Sequence, residues 1–139
     1  MGMTIEAQET TLDVPLFRLA QARSGDKNDT SDITVFMTSR ELFEWIEPRL
    51  TEQVVKEFMA PLVHGDVQRY LLPRLYAFKF VCHQALGGGG SSSLRGDNLG
   101  KSMASALLRW VATDVPSDLA RTSPLFDGPP VPTPKVAVR

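Results

Sequence analysis

Between residues 14 and 111 apolar runs alternate with short polar segments, and the runs carry two different periods. Pro15 to Ala22 (P-L-F-R-L-A-Q-A) is partly alternating, which predicts a first strand. Ile33 to Thr38 (I-T-V-F-M-T) is β-branched and aromatic, which predicts a second. Between them, Arg23-Ser24-Gly25-Asp26-Lys27-Asn28-Asp29-Thr30 holds four charged side chains, two hydroxyls and a glycine, with no large apolar side chain. That composition fits neither an amphipathic helix nor a half-buried strand, so it predicts a loop joining the two strands.

Beyond the second strand the period lengthens. Ser39 is placed to cap a helix whose apolar face is Leu42, Trp45, Ile46 and Leu50. Pro48 interrupts it, and Thr51 can cap a continuation bearing Val54, Val55, Phe58 and Met59, which Pro61 ends. Trp45 and Phe58 are expected in the core. Val67 to Leu72 predicts a third strand, stopped by Pro73. Leu75 to Leu86 fits two periods. Leu75, Phe78, Val81, Cys82, Ala85 and Leu86 suit a helix, whereas Phe78, Phe80 and Cys82 suit a strand. The glycines that follow favour the helix, since glycine ends helices well. Asn98 to Val111 predicts a further helix, with Leu99, Met103, Ala106, Leu107 and Trp110 on one face and Asp97 as its cap. From residue 113 periodicity stops and six of the ten prolines occur, which predicts an extended tail. The expected organisation is a disordered lead-in over 1–12, one α+β domain over 13–112 and the tail over 113–139.

Composition narrows the classes of function. A chain of 139 residues suits one domain with a real core, and 42% hydrophobic with 22% charged residues is ordinary for a globular protein. A net charge of −1 argues against nucleic acid or an anionic membrane as partner. No apolar stretch is long enough to span a bilayer, and residues 1–12 lack the features of a signal peptide. One cysteine, Cys82, excludes an internal disulfide and points to a reducing, cytoplasmic setting.

Two segments carry candidate chemistry. The charged segment is a solvated turn or a binding loop; both use the same residue types. The second runs from Gly87 to Ser102. Gly100-Lys101-Ser102 imitates the end of a phosphate-binding P-loop, but the glycine required five places earlier is Arg95, and nucleotide hydrolysis is rejected. Consecutive glycines still let backbone N–H groups approach a ligand, and the helix N-terminus that follows favours an anion between Arg95 and Lys101. Arg95-Gly96-Asp97 spells an adhesion tripeptide, read here as chance. Asp26, Asp29 and Asp32 lack calcium-loop spacing, and the place of the bidentate glutamate is Met37, so no metal is expected. His64 is expected in a turn with Gly65. His83 is either a general acid–base or a histidine hydrogen-bonded at a helix end. Its neighbour Cys82 would point elsewhere on a helix, so no cysteine nucleophile is expected.

Together the two segments resemble a known family. Ala22-Arg23-Ser24-Gly25-Asp26-Lys27-x-Asp29-Thr30 is similar to the ARSGDKGDTANIGVI signature of the AtuA-like C-terminal domain, associated with acyclic terpene utilisation proteins. Phe80-Val81, Ala85-Leu86-Gly87-Gly88-Gly89, Ser93-Leu94-Arg95-x-Asp97 and Gly100-Lys101 are similar to its second signature, NFVLxxALGGGxxxSLRxDxxGK. The resemblance covers about residues 14 to 111. It implies a ferredoxin-like α+β domain, a small sheet with helices packed on one face, and a link to terpenoid and branched acids. The sequence departs from the signatures at Asn28, where the family has glycine, at Asp32-Ile33-Thr34, and at Lys79 in place of asparagine. His83 falls where the signature is open.

The expected activity is that of a small stand-alone enzyme without metal or cofactor. It would be a lyase, isomerase or cyclase, with pericyclic ring closure as a special case, acting on a terpenoid or other apolar acid. Lys27 and Arg95 would polarise an oxygen, and Asp26 or His83 would move a proton. Arg23, Ser24, Gly25, Asn28, Gly88, Gly89, Ser93 and Lys101 would surround the substrate. The alternative is a non-catalytic accessory subunit for a separate large AtuA-type domain. A homo-oligomer is expected under either reading.

Overall fold

A computed structural model describes residues 10–85 and 103–127. Six strands form two antiparallel sheets: β1 (Thr11–Pro15), β2 (Ala20–Lys27), β3 (Thr30–Met37), β4 (Val67–Leu72), β5 (Ala77–Cys82) and β6 (Val111–Pro116). The larger sheet has the order β2-β3-β5-β4, and the smaller pairs β1 with β6. Two helices, α1 (Arg40–Ile46) and α2 (Glu52–Phe58), cross from β3 to β4. Because β5 lies antiparallel between them, β3 and β4 run parallel, a split βαβ unit. Residues 103–107 are helical (α3), and α4 (Ser117–Ala120) follows β6. From β3 onward the order of strands and helix layers is thus β-α-β-β-α-β, the ferredoxin-like string.

The starts of α1 and α2 are where the sequence places them. Ser39 Oγ accepts from the Leu42 N–H, and Thr51 Oγ1 from the Val54 N–H, so each cap satisfies one otherwise unpaired donor. α1 buries Leu42, Phe43 and Ile46 against β3 and β5, where the Phe43 ring stacks on Phe78 with centroids 4.7 Å apart. Arg69 of β4 turns toward the same layer. Its guanidinium donates to the carbonyls of Glu47 (2.6 Å) and Leu50 (2.8 Å), satisfying the chain between α1 and α2. The core on this side of the sheet also takes in Val14 and Leu16 before β2, Met103 and Leu107 of α3, and Val115 of β6.

Five expectations are corrected. The predicted first strand, Pro15 to Ala22, is broken by a 3₁₀ turn at Leu16–Arg18. There the Leu16 and Phe17 N–H groups leave the ladder and donate to the Trp110 and Leu108 carbonyls. Thr11 and Leu12, expected in the lead-in, are paired with Pro116 and Val115. Leu75 to Leu86 is not a helix: Ala77–Cys82 is the strand β5, hydrogen-bonded on both sides. Tyr76, in the left-handed region at φ 54°, turns the chain into it. The helix predicted over Asn98 to Val111 has ended by residue 110, and Val111 opens β6. The extended tail read from 113 begins inside β6 and passes into α4, where Val115 and Ala120 are fully buried. The start of the 98–111 prediction and its cap Asp97 lie outside the described residues.

Candidate functional site

The charged segment is a strand end and a tight turn. Register runs unbroken from Ala20↔Met37 to Lys27↔Thr30, leaving Asn28 and Asp29 as a two-residue hairpin loop. Such loops need positive φ, and Asn28 supplies it at φ 56°. The expectation of a loop over Arg23–Thr30 is therefore corrected to an edge strand that outruns the core. Its positions facing the helices are Ala22, Ser24 and Asp26, too small or polar to announce a half-buried strand. The buried Ser31 hydroxyl donates to the Gly25 carbonyl (3.1 Å) and ties the hairpin together.

Strand alternation then assigns each candidate a face. Ser24 and Asp26 lie opposite Ile33 and Ser31, on the helix side. Arg23, Gly25 and Lys27 lie on the other face, opposite Thr34, Asp32 and Thr30. Asp26 and Lys27 are therefore directed to opposite sides of the sheet. His83 follows Cys82, whose partners are Ser31 and Val67, and belongs to the Lys27 side. Its Nε2 is 3.2 Å from Gln68 Oε1. With Gln68 accepting, Nε2 carries the proton and Nδ1 is the basic nitrogen. Gly65 permits this arrangement: a Cβ there would come within 2.8 Å of the His83 carbonyl. The Gly65 N–H donates to that carbonyl (3.0 Å), and His83 N–H donates to the Asp66 carbonyl (3.0 Å).

One hydrogen bond joins the two signature segments. The Ala85 N–H donates to the Asp29 carbonyl (3.0 Å), so the chain leaves β5 for the glycines against the β2–β3 turn. Lys27, Asn28, His83 and Ala85 thus share one end of the sheet. Gly88, Gly89, Ser93, Arg95 and Lys101 lie outside the described residues. Cys82 sits beneath this end, fully buried, and its thiol is pushed up to about 11, first by burial and then by the Asp32 carboxylate. It is held as a neutral thiol, not a nucleophile.

Alternation also brings in residues that the sequence reading left without a role: Thr34 and Lys79 at the middle of the sheet, Ser31 behind the hairpin and Gln68 beside His83. Once the Asn28–Asp29 turn is recognised, counting forward by twos from Thr30 finds Thr34; Lys79 is found only through its pairing with Thr34 across β3 and β5. Among the described residues, no helix is long and apolar enough to cross a membrane.

No curated protein and no solved structure matches this chain. A family model does: the AtuA ferredoxin-like domain matches residues 14–113, from the end of β1 into β6. That span takes in both signature segments and the whole four-stranded sheet, and the chain belongs to the AtuA ferredoxin-like domain family.

Proposed function

We propose that the protein transforms a terpenoid or other apolar acid at the hairpin end of its four-stranded sheet. It would act as a small lyase, isomerase or cyclase that needs no cofactor. The observation that carries this reading is the bond from Ala85 N–H to the Asp29 carbonyl. It sets Ala85, where the second signature segment begins its approach to the glycines, against the turn that ends the first, which supports a site built from loops on a rigid sheet. Lys27 and Arg95 bind or polarise the substrate oxygen. His83, on the Lys27 face, moves the proton; Asp26 takes that role for a substrate held on the helix side. Preorganised cations facing developing negative charge typically contribute a hundredfold or more in rate. Native mass spectrometry of the protein from its source cells is the first test, expected to show a homo-oligomer carrying such an acid. Turnover of that acid should fall about a hundredfold in Lys27→Ala and in Arg95→Ala, with unfolding curves unchanged. Full turnover in both variants overturns the assignment.

A second reading is favoured by a different surface. Leu71, Leu75 and Tyr76 are exposed along the β4 edge and the turn into β5, and adjacent exposed apolar residues suit a partner. In that reading the chain is an accessory subunit of a separate large AtuA-type domain. Co-expression decides it: a stoichiometric complex lost on Leu75→Asp supports the subunit, and no association at micromolar concentrations rejects it.

A further inference from the structure

The larger sheet has a second face that the described helices do not cover. On that side of β2, β3, β4 and β5 only Ala77 is buried. Register aligns the side chains there in rows across the strands. One row is Arg23, Thr34, Lys79 and Tyr70; the next, away from the hairpin, is Gln21, Phe36, Ala77 and Leu72. Arg23 and Lys79 therefore flank the Thr34 hydroxyl from the two adjoining strands, roughly 10 Å apart at the backbone. Phe36 and Leu72 lie one row away, and Tyr70 closes the end of the row at 49% exposure.

Charge selects the occupant. Arg23, Lys27 and Lys79 share this face with one carboxylate, Asp32, in a chain of net charge −1. Among the described residues, no ion pair engages any of the three cations. A second copy packed face to face would set three cations against three with one carboxylate from each side, which repels. An anion carrying an apolar chain meets both halves of the surface.

We infer that the open sheet face is a binding site for an apolar acid, its carboxylate held over Thr34 by Arg23 and Lys79 and its chain laid on Phe36 and Leu72. Arg23 and Lys27 are four residues apart on one strand, roughly 13 Å. The site is thus distinct from the hairpin-end chemistry and does not rest on it. Charge-assisted hydrogen bonds supply the head-group affinity, and Asp32, one row toward the hairpin, opposes it.

The test is a titration of the full chain with monomeric decanoate, followed by amide NMR and calorimetry. Decanoate should shift the amides of Thr34, Phe36 and Lys79, and decanol should bind more weakly. Arg23→Ala and Lys79→Ala should each weaken decanoate about tenfold, and Asp32→Asn should strengthen it severalfold. Both cation positions are on the open face, so folding is kept, and Lys79→Arg should restore binding where Lys79→Ala loses it. Shifts confined to residues 26–30 and 83–85 would overturn this site and leave the hairpin-end reading standing. Unchanged affinity in both alanine variants would also overturn it. So would binding to phosphatidylserine vesicles without binding of decanoate. No decanoate binding anywhere on the chain would count against both this site and the apolar-acid reading.

Discussion

The two faces of the four-stranded sheet are built from alternate residues of the same strands and do opposite work. On one, Ile33, Val35, Phe78, Phe80 and Cys82 are fully buried beneath the helices. On the other, Asp32, Thr34, Lys79 and Val81 stand between them in sequence, and each keeps contact with solvent. Parity along β3 and β5 therefore separates the packed face from the face proposed to bind. A shift of one residue in register would exchange the two sets, which makes the register itself worth a whole core. Substitutions on the covered face should act on folding, and those on the open face on binding.

The largest break in that comparison should come from Phe78→Ala. The ring is fully buried, stacked on Phe43, and 6.5 Å from Phe80. Removing it should cost about 3–5 kcal/mol, the loss of transfer energy plus a cavity that the sheet cannot close. Tyr70→Ala, on the open face of the neighbouring strand, should change stability by only about 0.5 kcal/mol. Urea unfolding of both variants measures this, and comparable losses would mean that the two faces are not divided as described.

A smaller effect, visible in alkaline solution, comes from Cys82. Burial raises its thiol from an ordinary 9.0 to about 11, with Asp32 as the lesser cause. The unfolded chain therefore releases this proton first as pH rises, and stability falls with pH across the window from 9 to 11. Below 9 the contribution is fully present; above 11 it is gone. Each pH unit is worth about 1.4 kcal/mol, so the loss approaches about 2–3 kcal/mol. Urea midpoints measured from pH 8 to 11 for the natural protein and for Cys82→Ala isolate the term, because the alanine variant should lack it. Parallel curves would show that the thiol ionises as freely in the fold as in water.

How much of this was legible varies along the chain with the amount of core that each element buries. β4 was read to its ends, because Pro73 stops it and its flanking residues do not continue the pattern. Ser39 and Thr51 were legible as caps because a hydroxyl ahead of an apolar helical face has few other uses. β5 was misread because Phe78, Val81, Cys82 and Ala85 also lie at helical steps, and the turn that arbitrates depends on the φ of Tyr76, which no composition announces. β2 was misread for the opposite reason: it runs past the core, so its covered positions no longer need to be apolar. The pairing of β6 with β1 spans about a hundred residues, and nothing local in Val111–Pro116 names its partner. Both signature segments were legible as special, and the family match covers them. What the sequence withheld was parity: that Asp26 and Lys27 part to opposite faces, and that Thr34 and Lys79 come to lie beside Arg23.

The smallest effect tests the turn where β2 is handed to β3. Asn28 holds φ 56°, a conformation that most side chains resist and that glycine and asparagine accept. The family signature has glycine there, so the exchange preserves the backbone while adding an amide at the hairpin end. Asn28→Ala should destabilise the fold by about 1 kcal/mol through backbone strain alone. Asn28→Gly should change stability by only about 0.5 kcal/mol, since relief of strain and added freedom in the unfolded chain oppose each other. Thermal unfolding of the pair reads the backbone contribution, and binding of the acid recovered with the protein reads the side chain. If Asn28→Gly keeps both stability and affinity, asparagine serves only as a glycine substitute in the turn. If it keeps stability and loses affinity, the amide is a ligand contact that this chain has and the signature lacks, and recognition extends around the end of the sheet as well as across its open face.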